Sequence, residues 1–232
     1  MLTLNVEGQV GTRLPMNYLI LESGKQQLDI TVLPILGEMS FIENSSFRAT
    51  VMLYDVVDGF KFIKDFVTYK MPDIDEENLI PVFNYQTVFH AEVPYKLVAW
   101  QNSKDLSEIE DLRQKVEERY RFVENLIVKG QYSALQQMLQ ERENNVAISM
   151  YLSEDEKKSR LNEFIHDAEN GFKVVPHTIE DQLVVYGNNK LVSLRKIDGD
   201  SALLLSNDET EEDLFLDIQF HIKQDGNELT II

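Results

Sequence analysis

The chain contains no cysteine, which removes thiol catalysis, cysteine-ligated zinc, iron–sulfur clusters and any disulfide framework. Basic residues are scarce as well: 22 Lys and Arg stand against 40 Asp and Glu, a net charge of −18. Direct binding to a nucleic-acid backbone or an anionic membrane needs a basic stripe, so neither is expected. No apolar run approaches the ~20 residues that cross a bilayer. The stretch Leu28–Leu36 is interrupted by Asp29 and Pro34. The start, Met1-Leu2-Thr3-Leu4-Asn5-Val6-Glu7, has neither the basic flank nor the apolar centre of a secretion signal, and a cytoplasmic location is expected. On that footing Asn44-Ser45-Ser46 is a polar turn rather than a glycosylation site.

Familiar chemical motifs are equally thin. His90, His166, His177 and His221 show no His-x-His or His-x-x-x-His spacing, and no His-Glu-x-x-His occurs. Asp73–Asn78 resembles the start of a calcium loop, but Asn78 and Asn84 stand where an EF-hand requires glycine and the closing glutamate. It reads as a solvated acidic turn. Glycine-rich phosphate cradles and a Gly-x-Ser-x-Gly elbow are absent. Asp217, Gln219 and His221 share one face of an alternating stretch, yet residues four apart on a strand lie ~13 Å apart, beyond hydrogen-bond reach. His221 is therefore read as solvent-facing, and no catalytic residue, metal or cofactor is assigned.

What is present divides the chain in two. Pro15, Pro34, Pro72, Pro81 and Pro94 all precede residue 95, and only Pro176 follows. Proline breaks helices, so the first part is expected to be β and the boundary to lie near Gln101–Lys104. Phe47, Ala49, Val51 and Leu53 alternate with Arg48, Thr50, Met52 and Tyr54, and Asp58-Gly59 separates this run from Phe60–Tyr69 as a hairpin signal. With Leu2–Val6, Met16–Leu21, Leu28–Ile35, Val82–Ala91 and Tyr95–Trp100, seven or eight strands are expected, an antiparallel β-sandwich domain over residues 1–103.

Residues 104–232 are expected to form an α+β domain. Leu106, Ile109, Leu112, Val116, Tyr120, Val123 and Ile127 recur three or four apart, the apolar seam of one long helix. Ser103 or the Ser107–Glu110 capping box would start it and Gly130 would end it. A shorter helix over Tyr132–Gln140, a strand over Val146–Leu152, and a helix opened by the Ser153–Glu156 box and stopped by Gly171 follow. The period then drops to two in a meander over Leu183–Tyr186, Leu191–Lys196, Ala202–Leu205, Leu214–Lys223 and Glu228–Ile232, and the helices are expected to cover its apolar face. This order resembles the cystatin-like α+β roll of ketosteroid isomerases and nuclear transport factor relatives, on Leu106–Ile127, Glu154–Asn170 and Leu214–Lys223. The resemblance covers residues 104–232 and implies a conical pocket between helices and sheet.

Charge is distributed unevenly. Residues 1–103 carry 13 acids and 7 bases, and residues 104–232 carry 27 and 15. Residues 198–232 hold 10 acids against Lys223 alone, densest at Asp208-Glu209-Thr210-Glu211-Glu212-Asp213. An acidic face of this kind steers and selects a basic partner, and an aromatic anchor such as Phe215 supplies contact energy. The chain is thus expected to be a non-enzymatic protein-binding molecule, with Asp208, Glu209, Glu211, Glu212, Asp213, Phe215 and Asp217 at the contact. Its profile (acidic, cytoplasmic, free of catalytic motifs) resembles that of bacterial immunity proteins, which implies a toxin or effector domain as the basic partner. Two alternatives stay open: a ligand-binding protein or enzyme using the pocket of the roll, and a phage-encoded nucleic-acid mimic.

Overall fold

The computed structural model describes residues 11–57, 59–74 and 80–232. The expected strand Leu2–Val6, Asp58 of the hairpin signal, and Asp75–Asn78 of the acidic turn lie outside them. The fold is α+β, in two compact units: Glu22–Lys96 makes one, and Arg13–Leu21 with Leu97–Ile232 makes the other. Residues 13–21 and 97–103 thereby belong with the helical part.

The β unit has four described strands, β1 (Gly24–Val32), β2 (Arg48–Asp55), β3 (Lys61–Lys70) and β4 (Phe83–Ala91). They pair as two antiparallel ribbons, β1 with β4 and β2 with β3. Phe66, Tyr69, Tyr85 and Phe89 meet between the ribbons, Phe66 against Phe89 at 5.4 Å and Tyr69 stacked on Tyr85 at 4.4 Å between ring centroids. Phe66 and Tyr69 are three apart and can share a face because the β2–β3 register shifts at Phe66. Two stretches expected as strands take other forms. Met16–Leu21 holds a single 3-10 turn over Asn17–Leu19, because Leu19 and Ile20 donate locally to Met16 O and Asn17 O. Tyr95–Trp100 forms no strand, since the Gln101 side chain donates to Leu97 O and accepts from Ala99 N. Those local bonds satisfy the backbone without a sheet partner.

In the α+β unit five of the seven seam residues, Leu112, Val116, Tyr120, Val123 and Ile127, lie on one helix, and Leu106 and Ile109 precede it. Helix α1 (Leu112–Val128) buries Val116, Tyr120, Val123 and Ile127, and Gly130 ends it at φ +63°. It starts later than the sequence suggests. Asp105, not Ser107, accepts from the Ser107 N–H and caps a separate 3-10 turn over Leu106–Glu108. Asp111, at φ +55°, then separates that turn from the helix, so the Ser107–Glu110 box is not used.

Helix α2 (Tyr132–Ser149) is longer than expected and takes in most of Val146–Leu152, which is therefore not a strand. Leu135, Leu139, Glu143 and Ala147 make one buried stripe at a spacing of four. The acid at 143 hides that stripe in the sequence. In the fold Arg142 and Arg160 pair with it and allow a carboxylate to hold a core position. Helix α3 (Glu154–Glu169) opens on the expected Ser153–Glu156 capping box, whose donors hold the Glu156 carboxyl below its ordinary value.

Seven short strands follow among the described residues: β5 (Lys173–Val175), β6 (Gln182–Tyr186), β7 (Leu191–Arg195), β8 (Leu204–Asn207), β9 (Glu212–Phe215), β10 (Phe220–Ile222) and β11 (Leu229–Ile231). They sort into two antiparallel sheets, in the orders β11-β10-β7-β6 and β5-β8-β9. The alternating stretch Leu214–Lys223 serves both. Leu216 N–H donates to Leu203 O at one end, and Gln219 O accepts from Ile232 N–H at the other. Burial continues unbroken across the switch through Leu216, Ile218, Phe220 and Ile222, as at the corners where a strand passes between packed sheets. No helix among the described residues is long and apolar enough to cross a membrane.

Candidate functional site

The sheet β5-β8-β9 presents two faces of opposite character. Leu205 belongs to the core that also holds residues of α1 and α3, and Val174 and Leu214 pack against it. Their neighbours, by strict alternation, point out. Register places Val175 opposite Leu204 and Leu204 opposite Phe215, so these three form one cross-strand apolar row. Lys173, Ser206 and Asp213 form the next. Phe215 is 40 % exposed and Val175 37 %. Directly opposed side chains on one sheet face lie in contact range, so the row offers a continuous apolar strip.

The hairpin joining β8 to β9 carries the charge. Asn207 Oδ1 accepts from the N–H groups of Glu209 and Thr210, which fixes the turn, and Glu211 adopts φ +57°. Left-handed backbone costs a non-glycine residue roughly 1–2 kcal/mol, yet the position holds an acid. Glu211→Gly is accordingly expected to melt no lower than the parent protein, which a thermal melt checks; a clear drop would mean the side chain holds the turn. Asp208, Glu209, Glu211, Glu212 and Asp213 are all exposed. Among the described residues the only cation within ion-pair distance of them is Lys173, 3.8 Å from Asp208. Exposed pairs of this kind contribute little, so the field of the run is left almost uncompensated.

Asp217 does not share that exposure. The Arg195 guanidinium donates to its carboxylate at 2.7 Å, and Arg142 Nε donates to its main-chain oxygen at 3.0 Å. Arg195 is itself buried, its Nε donating to Ser193 Oγ. The structure thus brings six of the seven expected contact residues together on the hairpin and β9, and turns the seventh toward an internal arginine. Nothing in the spacing of Arg195 and Asp217 signals that pairing, because it depends on how β7 packs against the sheet switch.

His221 corrects the solvent-facing reading. It is 1 % exposed, and its Nδ1 lies 2.7 Å from Ser103 Oγ. Strand β10 lies inside its sheet and all three of its residues are buried, so the polar half of the alternation is covered too. Burial holds the imidazole below its ordinary value; Glu141 opposes the shift and Lys223 adds to it. The unfolded chain therefore takes up a proton before the folded one as pH falls. Stability owed to the neutral ring is complete above about pH 6.5 and drains away as pH drops through the depressed folded value. The urea midpoint is expected to fall more steeply between about pH 7.5 and about pH 5.5 in the parent protein than in His221→Gln. Equal slopes would remove His221 as the source.

A second buried pair escaped the sequence reading: the Glu124 carboxylate accepts from the His177 N–H at 2.9 Å and lies 2.8 Å from its Nδ1. It ties the segment after β5 to α1. A cleft of about 390 Å³ opens between α1, α2, β10 and β11. Its charged lining is already matched internally, Arg119 with Glu228 at 2.9 Å and Lys223 with Glu141 at 2.6 Å. The β unit exposes apolar side chains of its own, among them Met39 at 91 %, Val57 at 86 % and Phe60 at 80 %.

Comparison with protein-family models, with curated proteins and with solved structures found no match for this chain.

Proposed function

We propose that this chain is a non-enzymatic binding protein that docks a basic partner protein on the outer face of β5-β8-β9 and the acidic hairpin beside it. The observation that carries the reading is the union of two features on one surface. Five exposed carboxylates with a single paired cation adjoin an apolar row of Val175, Leu204 and Phe215. Charges of one sign raise the encounter rate and reject acidic competitors, while a partly exposed aromatic gives the bound state its contact energy. Masking the basic groove of a toxin in the cytoplasm, as bacterial immunity proteins do, is the role this combination suits best.

Association with a basic protein encoded beside this gene tests the reading. The on-rate is expected to fall at least about tenfold from low to high salt. Replacing Asp208, Glu209, Glu211, Glu212 and Asp213 by their amides is expected to slow association similarly at low salt, with little change in the off-rate. Phe215→Ala is expected to do the reverse. An on-rate indifferent to both salt and neutralisation would contradict the proposal. A second reading rests on the exposed Met39, Val57 and Phe60: the partner would then seat on the β unit, and the amide variant would bind like the parent.

A further inference from the structure

One hydrogen bond fixes the direction of every main-chain group on β9. Leu216 N–H donates to Leu203 O, and the register continues as Phe215 opposite Leu204, Leu214 opposite Leu205, Asp213 opposite Ser206 and Glu212 opposite Asn207. In an antiparallel pair, opposed residues alternate between exchanging both main-chain bonds and exchanging neither. Leu216 is in the bonded phase, so Leu214 and Glu212 are too. Asp213 and Phe215 are in the other phase, and their N–H and C=O groups aim away from β8. Among the described strands β9 is the last of its sheet. Among the described residues nothing accepts from those two N–H groups or donates to those two carbonyls.

From this we infer that the free edge of β9 receives an extended segment of the partner, rich in lysine or arginine, as an added strand. The inference rests on the docking surface proposed above and specifies how the partner is held. Two donors and two acceptors at a spacing of two residues match the repeat of an extended chain, which supplies affinity through its backbone and specificity through alternate side chains. On the outer face of such a strand, an apolar side chain opposite Phe215 would extend the row of Val175, Leu204 and Phe215. A basic side chain two residues away, opposite Asp213, would meet that carboxylate and the hairpin acids. Charge decides against a second copy of this chain as the occupant. Pairing β9 with β9 would crowd the acidic hairpins of both copies along one short edge, where like charges repel.

The test uses the full chain and a short synthetic peptide in which every second residue is valine or lysine in turn, with threonine between them, so that valine and lysine share one face. Its comparators are the same peptide N-methylated at alternate residues, and a version with glutamate for lysine. The unmethylated peptide is expected to slow hydrogen exchange at the Asp213 and Phe215 amides. N-methylation leaves charge and side chains in place but removes the donors, and is expected to weaken binding about tenfold or more. The glutamate peptide is expected not to bind. Asp213→Pro removes one edge donor at a position where an edge strand tolerates proline, and is expected to lose binding that Asp213→Asn retains. Equal binding of the methylated peptide, without protection of the two amides, would overturn edge pairing while leaving a basic partner in place. No binding of the unmethylated peptide would also overturn it, as would protection that appears with protein concentration alone.

Discussion

Val116→Asp is expected to unfold the α+β unit. Val116 is wholly buried at the centre of the α1 seam, in one core with Tyr120, Val123, Leu194 and Phe220. Losing the valine side chain forfeits about 1.5–3 kcal/mol of burial. An unpaired carboxylate left in that core costs several kcal/mol more. Together these approach the roughly 5–15 kcal/mol by which domains are stable. Far-ultraviolet circular dichroism should show loss of helical signal at room temperature. Gln114→Asp, on the exposed flank of the same helix, should melt like the parent protein. A Val116→Asp melt within a few degrees of the parent would show that this face is not the seam.

Glu143→Ala should have the next largest effect. Glu143 is 6 % exposed and receives Arg142 and Arg160. Removing it leaves Arg142, itself largely buried, without its counter-charge. Breaking a buried pair from one side costs about 3–5 kcal/mol. Removing both charges is a different matter, because two desolvation penalties disappear with the attraction. The double variant Arg142→Met with Glu143→Leu is therefore expected to recover most of the lost stability in a denaturant titration, while Arg160 turns to water. If the single variant costs less than about 1 kcal/mol, the pair is a surface pair in energetic terms, and it is not what lets α2 run through an acidic position.

These two sites also mark where the sequence was readable and where it was not. The seam of α1 was legible because Leu112, Val116, Tyr120, Val123 and Ile127 recur at helical spacing with charges between them, and no pairing with a distant residue was needed to see it. The continuation of α2 was not. Glu143 interrupts the apolar stripe, and only the arginines that meet it in space restore the pattern. The stretch Leu214–Lys223 was legible as alternation and illegible as topology. Period two says which side chains are buried, but nothing in it says that Leu216 bonds to one sheet and Gln219 to another. His221 was misread for a related reason. The polar face of an alternating strand is exposed only when its sheet has one open side, and Ser103, 118 residues away in sequence, closes it. The acidic hairpin was legible as a charge run. Its neighbours Val175 and Leu204 were not, because they reach Phe215 only through the register of β5 and β8.

The proposed location of the partner, on the outer face and free edge of β5-β8-β9, is read by hydrogen exchange of the full chain, free and in complex with its basic partner. A footprint is expected over Lys173–Val175 and Asp208–Phe215 that includes the Asp213 and Phe215 amides. A footprint confined to Glu22–Lys96, around Met39, Val57 and Phe60, would contradict it.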